Sequence, residues 1–346
     1  MIAKYSLPSL LAVPDSGKGL RFSAIPKFIE TIARHYWLDR LLLPLFLVAT
    51  VYSQSVVPQL SEAGSGESAN LTYHSTVSEV RVVFFATDEN NHSVEDLQRD
   101  DFAVVDDERI IRDFRSFTRS SATNLDVIVM IDSSDSVQPR FQQEITDVLQ
   151  LISQWPWSPE DNLSVLSFSG LETHVICSGN CRSSFADRVH SLPSGGAATP
   201  LFDALTIAAD LLLQRGQPDV WPVIILFSDG DDTISMSSFD DTLEKILASG
   251  AQVYTIDANP PVQPSRGRAT LQRIAENSGG RYIPIDEGPI TLLNDVIDDL
   301  HSARVVTYQA PKSRSDFHAI RILPTHNLKL QFRSRRGYYH HWSSAH

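Results

Sequence analysis

The chain has 346 residues, 42% of them hydrophobic, and a formal net charge of −13. That length admits one large domain with a smaller one, and that hydrophobic share admits a buried core. The charge is uneven, about +3 over residues 1–53 and −16 over the rest, and so acidic a body excludes general nucleic-acid binding because phosphates are repelled.

The first feature in chain order is the apolar run Leu41–Val51, preceded by Arg40 and followed by Tyr52-Ser53-Gln54-Ser55. It is too short to span a bilayer comfortably, which takes about 20 residues. It has the length of a signal-peptide core, with Ser53 as the end of the cleaved piece, although the forty residues ahead of it are long for such a leader. Export to the periplasm, cell envelope or exterior is the expectation; an uncleaved N-terminal membrane anchor and a cytosolic protein are the alternatives. Residues 1–57 are assigned to this segment and 58–72, rich in Ser, Gly and Glu, to a flexible linker.

Residues 73–120 read as a small β module. Val77–Thr87 is a β-branched and aromatic run, and Phe102–Val105 and Ile110–Phe117 predict further strands across the acidic turn at Asp106-Asp107-Glu108. From 121 to 303 apolar runs alternate with helical patterns. Strands are predicted at Leu125–Ile131, Leu163–Phe168, Val220–Phe227 and Gln252–Ile256, the first and third almost wholly apolar, as in a parallel sheet covered on both faces. Helices are predicted at Phe141–Gln154, Leu201–Leu213, Phe239–Ala248, Leu271–Asn277 and Ile290–Ala303. The alternation predicts a doubly wound, mostly parallel α/β fold. Strands return at Val305–Gln309, His318–Ile322 and Leu328–Phe332, so residues 304–340 are expected to rejoin the first β module as a small sandwich, with the α/β domain inserted.

Cys177 and Cys181 flank Ser178-Gly179-Asn180, which is turn chemistry. Export favours a disulfide closing a small hairpin. Half a metal site with His174, or two free thiols, are the alternatives.

Three pieces carry chemistry. Asp132-x-Ser134-x-Ser136 ends the first α/β strand, Gly195-Gly196-Ala197-Ala198-Thr199-Pro200-Leu201 leads into a helix, and Ser228-Asp229-Gly230 ends the run VIILF. In an open α/β sheet ligands gather at the carboxyl ends of strands near the topological switch point. Two carboxylates and three hydroxyls there form an oxygen-only set, suited to Mg²⁺ (with Mn²⁺ or Ca²⁺ as alternatives) rather than zinc. A metal with an open position grips a partner's carboxylate.

These motifs, in this order over about Asn124 to Ala303, resemble the von Willebrand factor A-type fold with its metal-ion-dependent adhesion site. The resemblance implies that Ser134 and Ser136 bind the metal through their hydroxyls, Thr199 directly or through water, and Asp132 and Asp229 mainly through water, with an Asp or Glu of a protein partner at the open position. The glycine loop departs from relatives that read Gly-Gly-Thr or Gly-x-Thr by an extra residue, which shifts Thr199. The end pieces, Val82–Asp88, Leu97–Val104 and Arg335-Arg336-Gly337-Tyr338-Tyr339, look like those of the von Willebrand factor A-related proteins abundant in acidobacteria and extend the resemblance over about Val77 to Tyr339.

Other residues take plainer readings. Asp135, Asp231 and Asp232 read as surface acids, Asp203 as a complement to the helix dipole, Trp155 and Trp157 as packing groups, and His340, His341 and His346 as a solvated tail. Asn70 and Asn91 begin glycosylation sequons. No enzyme is expected: Leu166-Ser167-Phe168-Ser169-Gly170 lacks the first glycine of a nucleophile elbow, and no phosphate-binding loop or His-Glu-x-x-His occurs. A scaffold within an envelope complex is the alternative function. A Mg²⁺-dependent hydrolase is weaker, for want of a general base.

Overall fold

The computed structural model describes residues 79–339 except 194, 218, 260–264, 285–288 and 313–314. The apolar run Leu41–Val51, the linker, the Asn70 sequon and the three tail histidines lie outside the described residues. Among the described residues no helix is long and apolar enough to cross a membrane.

The first strands are β1 (Glu79–Thr87), β2 (Phe102–Asp106), β3 (Arg109–Ile111) and β4 (Ser116–Arg119). Then follow β5 (Asn124–Asp132), α1 (Phe141–Gln154), β6 (Asn162–Ser169), β7 (Glu172–Cys177), α2 (Phe185–His190) and α3 (Leu201–Arg215). Next come β8 (Val220–Ser228), α4 (Phe239–Ser249), β9 (Gln252–Asp257), α5 (Arg266–Ser278), β10 (Tyr282–Pro284) and α6 (Pro289–Ser302). The chain closes with β11 (Arg304–Gln309), β12 (Phe317–Pro324), β13 (Gln331–Ser334) and β14 (Gly337–Tyr339).

The central sheet has the order β10-β9-β8-β5-β6-β7, parallel throughout except for the antiparallel edge pair β6–β7. The chain runs from β5 outward to β6 and returns to β8 on β5's other side. The switch point therefore lies between the carboxyl ends of β5 and β8. Strand period explains why β5 is apolar without interruption. Val127, Val129 and Ile131 face the layer with α1 and Trp221, while Ile128 and Met130 face α3, α4 and α5.

The end strands pair with each other in two antiparallel sheets, β13-β1-β11-β4 and β14-β12-β2-β3. Their shared core holds Phe84, Phe102, Phe114, Val306, Tyr308 and Ile320. Beside it, the buried Asp106 carboxylate accepts from the Tyr308 hydroxyl at 2.7 Å and the Tyr338 hydroxyl at 3.0 Å, and lies 3.1 Å from His318 Nδ1. The tail motif thus staples both sheets: Tyr338 reaches Asp106, and the Arg335 guanidinium donates to the Arg81 carbonyl at 2.8 Å.

Several expectations shift. The single strand predicted at Ile110–Phe117 is two, β3 and β4, because exposed Arg112 and Asp113 carry the chain from one sheet to the other. The strand at Leu328–Phe332 begins only at Gln331. Helix α5 starts at Arg266 rather than Leu271, capped by the Ser265 side chain, which accepts from Arg268 N–H. The edge strands β7, β10 and β14 and the short α2 are additional.

Cys177 and Cys181 are joined by a disulfide at a Cα separation of 5.8 Å. Both sulfurs are thereby removed as thiolate ligands. The ring it closes is small, so the chain-entropy model gives it about 2 kcal/mol. The Cys177→Ser/Cys181→Ser protein is expected to lose about that much stability in denaturant melts; an unchanged stability would show that the bridge restrains the unfolded chain little.

Candidate metal centre

Asp132 is the last residue of β5 and Asp229 follows the last residue of β8, so neighbouring parallel strands deliver the two carboxylates to one rim. Asp132 is fully buried. Its Oδ1 accepts from Ser134 N–H at 3.0 Å and its Oδ2 from the Ser228 hydroxyl at 2.7 Å. The Ser134 and Ser136 hydroxyls lie 3.0 Å apart, Ser134 buried and Ser136 exposed. One side of the cradle is therefore open to solvent.

The glycine loop is sewn to this turn. Gly195 N–H donates to the Ser133 carbonyl at 2.8 Å, Asp135 N–H to the Gly196 carbonyl at 3.0 Å, and Gly196 N–H to Asp135 Oδ1 at 2.9 Å. Asp135 is thus a loop tie as well as a surface acid. Gly196 has φ +149°, and a Cβ there would stand 2.9 Å from Gly170 N, so the loop needs glycine to lie against the β6–β7 turn. Thr199 is buried at the start of α3, exchanging hydrogen bonds with Thr233: its N–H donates to Thr233 Oγ1 at 2.7 Å, and Thr233 N–H to its carbonyl at 3.0 Å. The extra loop residue leaves Thr199 on the rim with the other strand ends.

The loop after β8 is equally fastened. Asp232, expected as a free surface acid, is half-buried, and its Oδ1 accepts from Phe202 N–H at 3.2 Å in the first turn of α3. Asp203 accepts from Met236 and Ser237 N–H, both at 2.9 Å, so it anchors this loop besides sitting in the helix's first turn. Asn259 Nδ2 donates to the Asp229 carbonyl at 2.6 Å and to Asp257 Oδ1 at 2.7 Å. Asp257 also takes Arg268 Nε at 2.8 Å. Asp231 stays exposed.

Electrostatics sets the demand of the site. Burial pushes Asp132 up to about 6, against the pull of the Ser134 and Ser228 hydrogen bonds and with a further push from the Asp229 charge. Those partners are neutral groups, so the ionised acid has no countercharge in them. Burial likewise holds Glu144 well above the usual carboxylate range, with Asp132 and Asp229 as the next causes. Glu144 was not foreseen as part of the site. Its signal was an acid on the buried helix face of Phe141, Ile145 and Val148. Oxygen donors of mixed charge, a buried Asp132 whose hydrogen-bond partners are neutral, and an open side together fit a divalent ion.

Two clefts lie elsewhere, lined by Arg81, Asp126 and Arg215 and by Phe85, Arg281 and Arg333 respectively, and neither includes the five predicted metal residues. Among the described residues, Asp106, Asp107 and His318 bring acid and imidazole atoms within 4.8 Å of one another. The Asp106 oxygens there are already engaged by Tyr308, Tyr338 and His318.

Residues 126–295 match the model of the von Willebrand factor type A domain. The chain carries a domain of that family. Solved structures similar to it include proximal thread matrix protein 1 from the mussel byssus, at 20% identity over 51% of this chain and 48% of that one, TM-score 0.44. A further structure of that mussel protein has a zinc-occupied MIDAS motif. An aerotolerance-related membrane protein from Bacteroides fragilis is 19% identical over 51% of this chain and 98% of that one, TM-score 0.41. BatB from Bacteroides thetaiotaomicron is 16% identical over 51% and 97%, TM-score 0.40. The chain spans about half the length of the mussel protein. No curated protein sequence matches it. In this von Willebrand factor type A domain, the strand ends of β5 and β8 and the start of α3 bring Asp132, Ser134, Ser136, Thr199 and Asp229 to one rim.

Proposed function

We propose that this protein is an exported recognition module whose von Willebrand factor type A domain binds a protein partner through a divalent cation, Mg²⁺ in the first instance. Ser134, Ser136 and Thr199 offer hydroxyls to the ion, and Asp132 and Asp229 hold it through water. The bound ion supplies a positive centre for an Asp or Glu carboxylate of the partner. The observation that carries this reading is the buried, uncompensated Asp132 beside an exposed Ser136 hydroxyl on an open rim.

The rim suits protein rather than a small substrate. Leu171, at the β6–β7 turn, is 78% exposed, and Met236, in the loop anchored by Asp203, is 96% exposed. The turn is tied to the glycine loop by Gly170 N–H donating to the Ala198 carbonyl at 2.7 Å. A partner carboxylate flanked by apolar side chains complements such a surface. The Cys177–Cys181 disulfide supports an oxidising compartment.

Immobilised wild-type protein, exposed to envelope extract of its source cells in Mg²⁺, is expected to retain a partner that EDTA releases. Asp132→Asn is expected to retain none. Equal retention with Mg²⁺, with EDTA and by the variant would remove metal-dependent recognition from consideration.

A further inference from the structure

Glu144 is the buried acid that the fold leaves unserved. It has no solvent exposure, and among the described residues neither carboxylate oxygen has a hydrogen-bond partner. Among the other buried carboxylates of the α/β layer, Asp147 keeps one oxygen unpartnered, and the rest named next are served. Asp126 takes Arg215 at 2.6 Å, Asp299 takes Arg281 at 2.6 Å, and Asp161 takes the Leu125 and Ser158 N–H groups, both at 2.7 Å. A buried carboxylate without a hydrogen-bond donor is strongly disfavoured. Arg140 is the cation that acts on it, and its pull is weaker than the push of Asp132, Asp229 and Asp147, so the site calls for further positive charge.

Its position says what that partner is. Helix α1 follows directly from the Asp132–Ser136 turn, and Glu144 sits in the first turn of that helix. Phe141 and Ile145 on the same face pack with Val127, Val129 and Ile131 of the strand that ends in Asp132. Asp132 and Asp229 act on Glu144 more strongly than Asp147, which shares its helix one turn on. The acids and histidines of the described residues close enough to chelate as a group are Asp106, Asp107 and His318. Glu144, Asp132 and Asp229 do not form such a group.

We propose that Glu144 is a third acid of the metal centre, set behind Asp132 and Asp229, whose buried charge tightens the capture of the cation. A carboxylate shielded from water acts on a nearby cation through a medium that screens it little. Groups of this kind, one step removed from a metal, change its affinity by about 10–100-fold. The inference rests on the reading of this rim as a divalent-cation centre.

The test titrates Mg²⁺ into the chelator-stripped full chain by calorimetry, for wild type, Glu144→Gln and Glu144→Met, with melting temperatures in EDTA alongside. Both variants are expected to bind Mg²⁺ about tenfold more weakly. Glu144→Met, which removes a buried acid, is expected to melt above wild type without metal. Should Glu144→Met fail to fold, the near-isosteric Glu144→Gln carries the comparison. Affinities within about twofold of wild type, well short of that range, overturn the inference and leave Glu144 a buried acid of no account to the metal. A wild type that binds no Mg²⁺ overturns the reading of the centre itself.

Discussion

Asp132→Asn is expected to melt above wild type in EDTA, and to ignore the Mg²⁺ that raises the melting temperature of wild type. The side chain keeps its volume and can still accept from Ser134 N–H, so the turn is preserved. The charge is lost. Burial first, and the Asp229 charge in addition, raise the acid to about 6 in the fold, from 3.8 as its ordinary value. Between those pH values the folded state holds more protons than the unfolded state. The metal-free protein therefore loses stability as pH rises from about 4 to about 6, by up to about 3 kcal/mol. At neutral pH the amide escapes that penalty. For a chain of this size each kcal/mol shifts the melting temperature by roughly 2–4 °C. Wild type regains stability when a cation settles beside the ionised acid, about 2.7 kcal/mol at a hundredfold excess over Kd. The variant lacks the charge that holds the ion. Scanning calorimetry of both proteins in EDTA and in saturating Mg²⁺ checks this, and a wild type that melts alike in both buffers refutes it.

Gly267→Ala is expected to damage fold and metal site together. Gly267 lies in the first turn of α5, pressed against the turn that carries Asp229. A Cβ there would stand 2.1 Å from the Asp229 carbonyl oxygen and 2.7 Å from Asp231 N. The opposing Gly230 has φ +79°, and its own Cβ would stand 2.3 Å from the Gly267 carbonyl oxygen. These are contacts with backbone, so no side chain can swing aside. Overpacking of a core usually costs about 1–3 kcal/mol, and a clash between two main chains belongs at the upper end. Relief moves the Asp229 turn or the start of α5, and Asn259, which holds the Asp229 carbonyl, moves with it. An unfolding free energy lowered by about 3 kcal/mol, read as a lower denaturant midpoint, and Mg²⁺ affinity weakened about tenfold are expected. Ala269→Ser, exposed on the same helix, is the control and should change neither. An unaltered midpoint in Gly267→Ala would show that the helix start gives way freely.

Much of this was legible in the sequence because two-sided burial leaves an unmistakable trace. Val127 to Ile131 and Val223 to Phe227 are apolar at every position, since odd and even residues enter different layers. The residues at the ends of those strands then had to stand on one rim. Legibility failed where an element is short or lies at an edge. In β7, Glu172–Cys177, half-exposed residues mask the alternation, and β10 and β14 are three residues each. It failed again at Ile110–Phe117, where local β propensity says nothing about which sheet receives the strand. Within the site, sequence motifs named donors that point at the rim but not the groups that hold them. Asp232 and Asn259 act through backbone contacts between distant segments, and Asp257 through the Asn259 and Arg268 side chains, none of which a local spacing encodes. Glu144 was readable as an acid in an apolar helical stripe, yet its meaning needs the strand beneath it.

On the proposed reading, these oxygen donors hold a divalent ion. Calorimetric titration of Mg²⁺ into the chelator-stripped full chain tests it most directly. The structure predicts saturable binding of one ion per chain, absent in Asp132→Asn. No saturable binding by wild type, or equal binding by the variant, would contradict it.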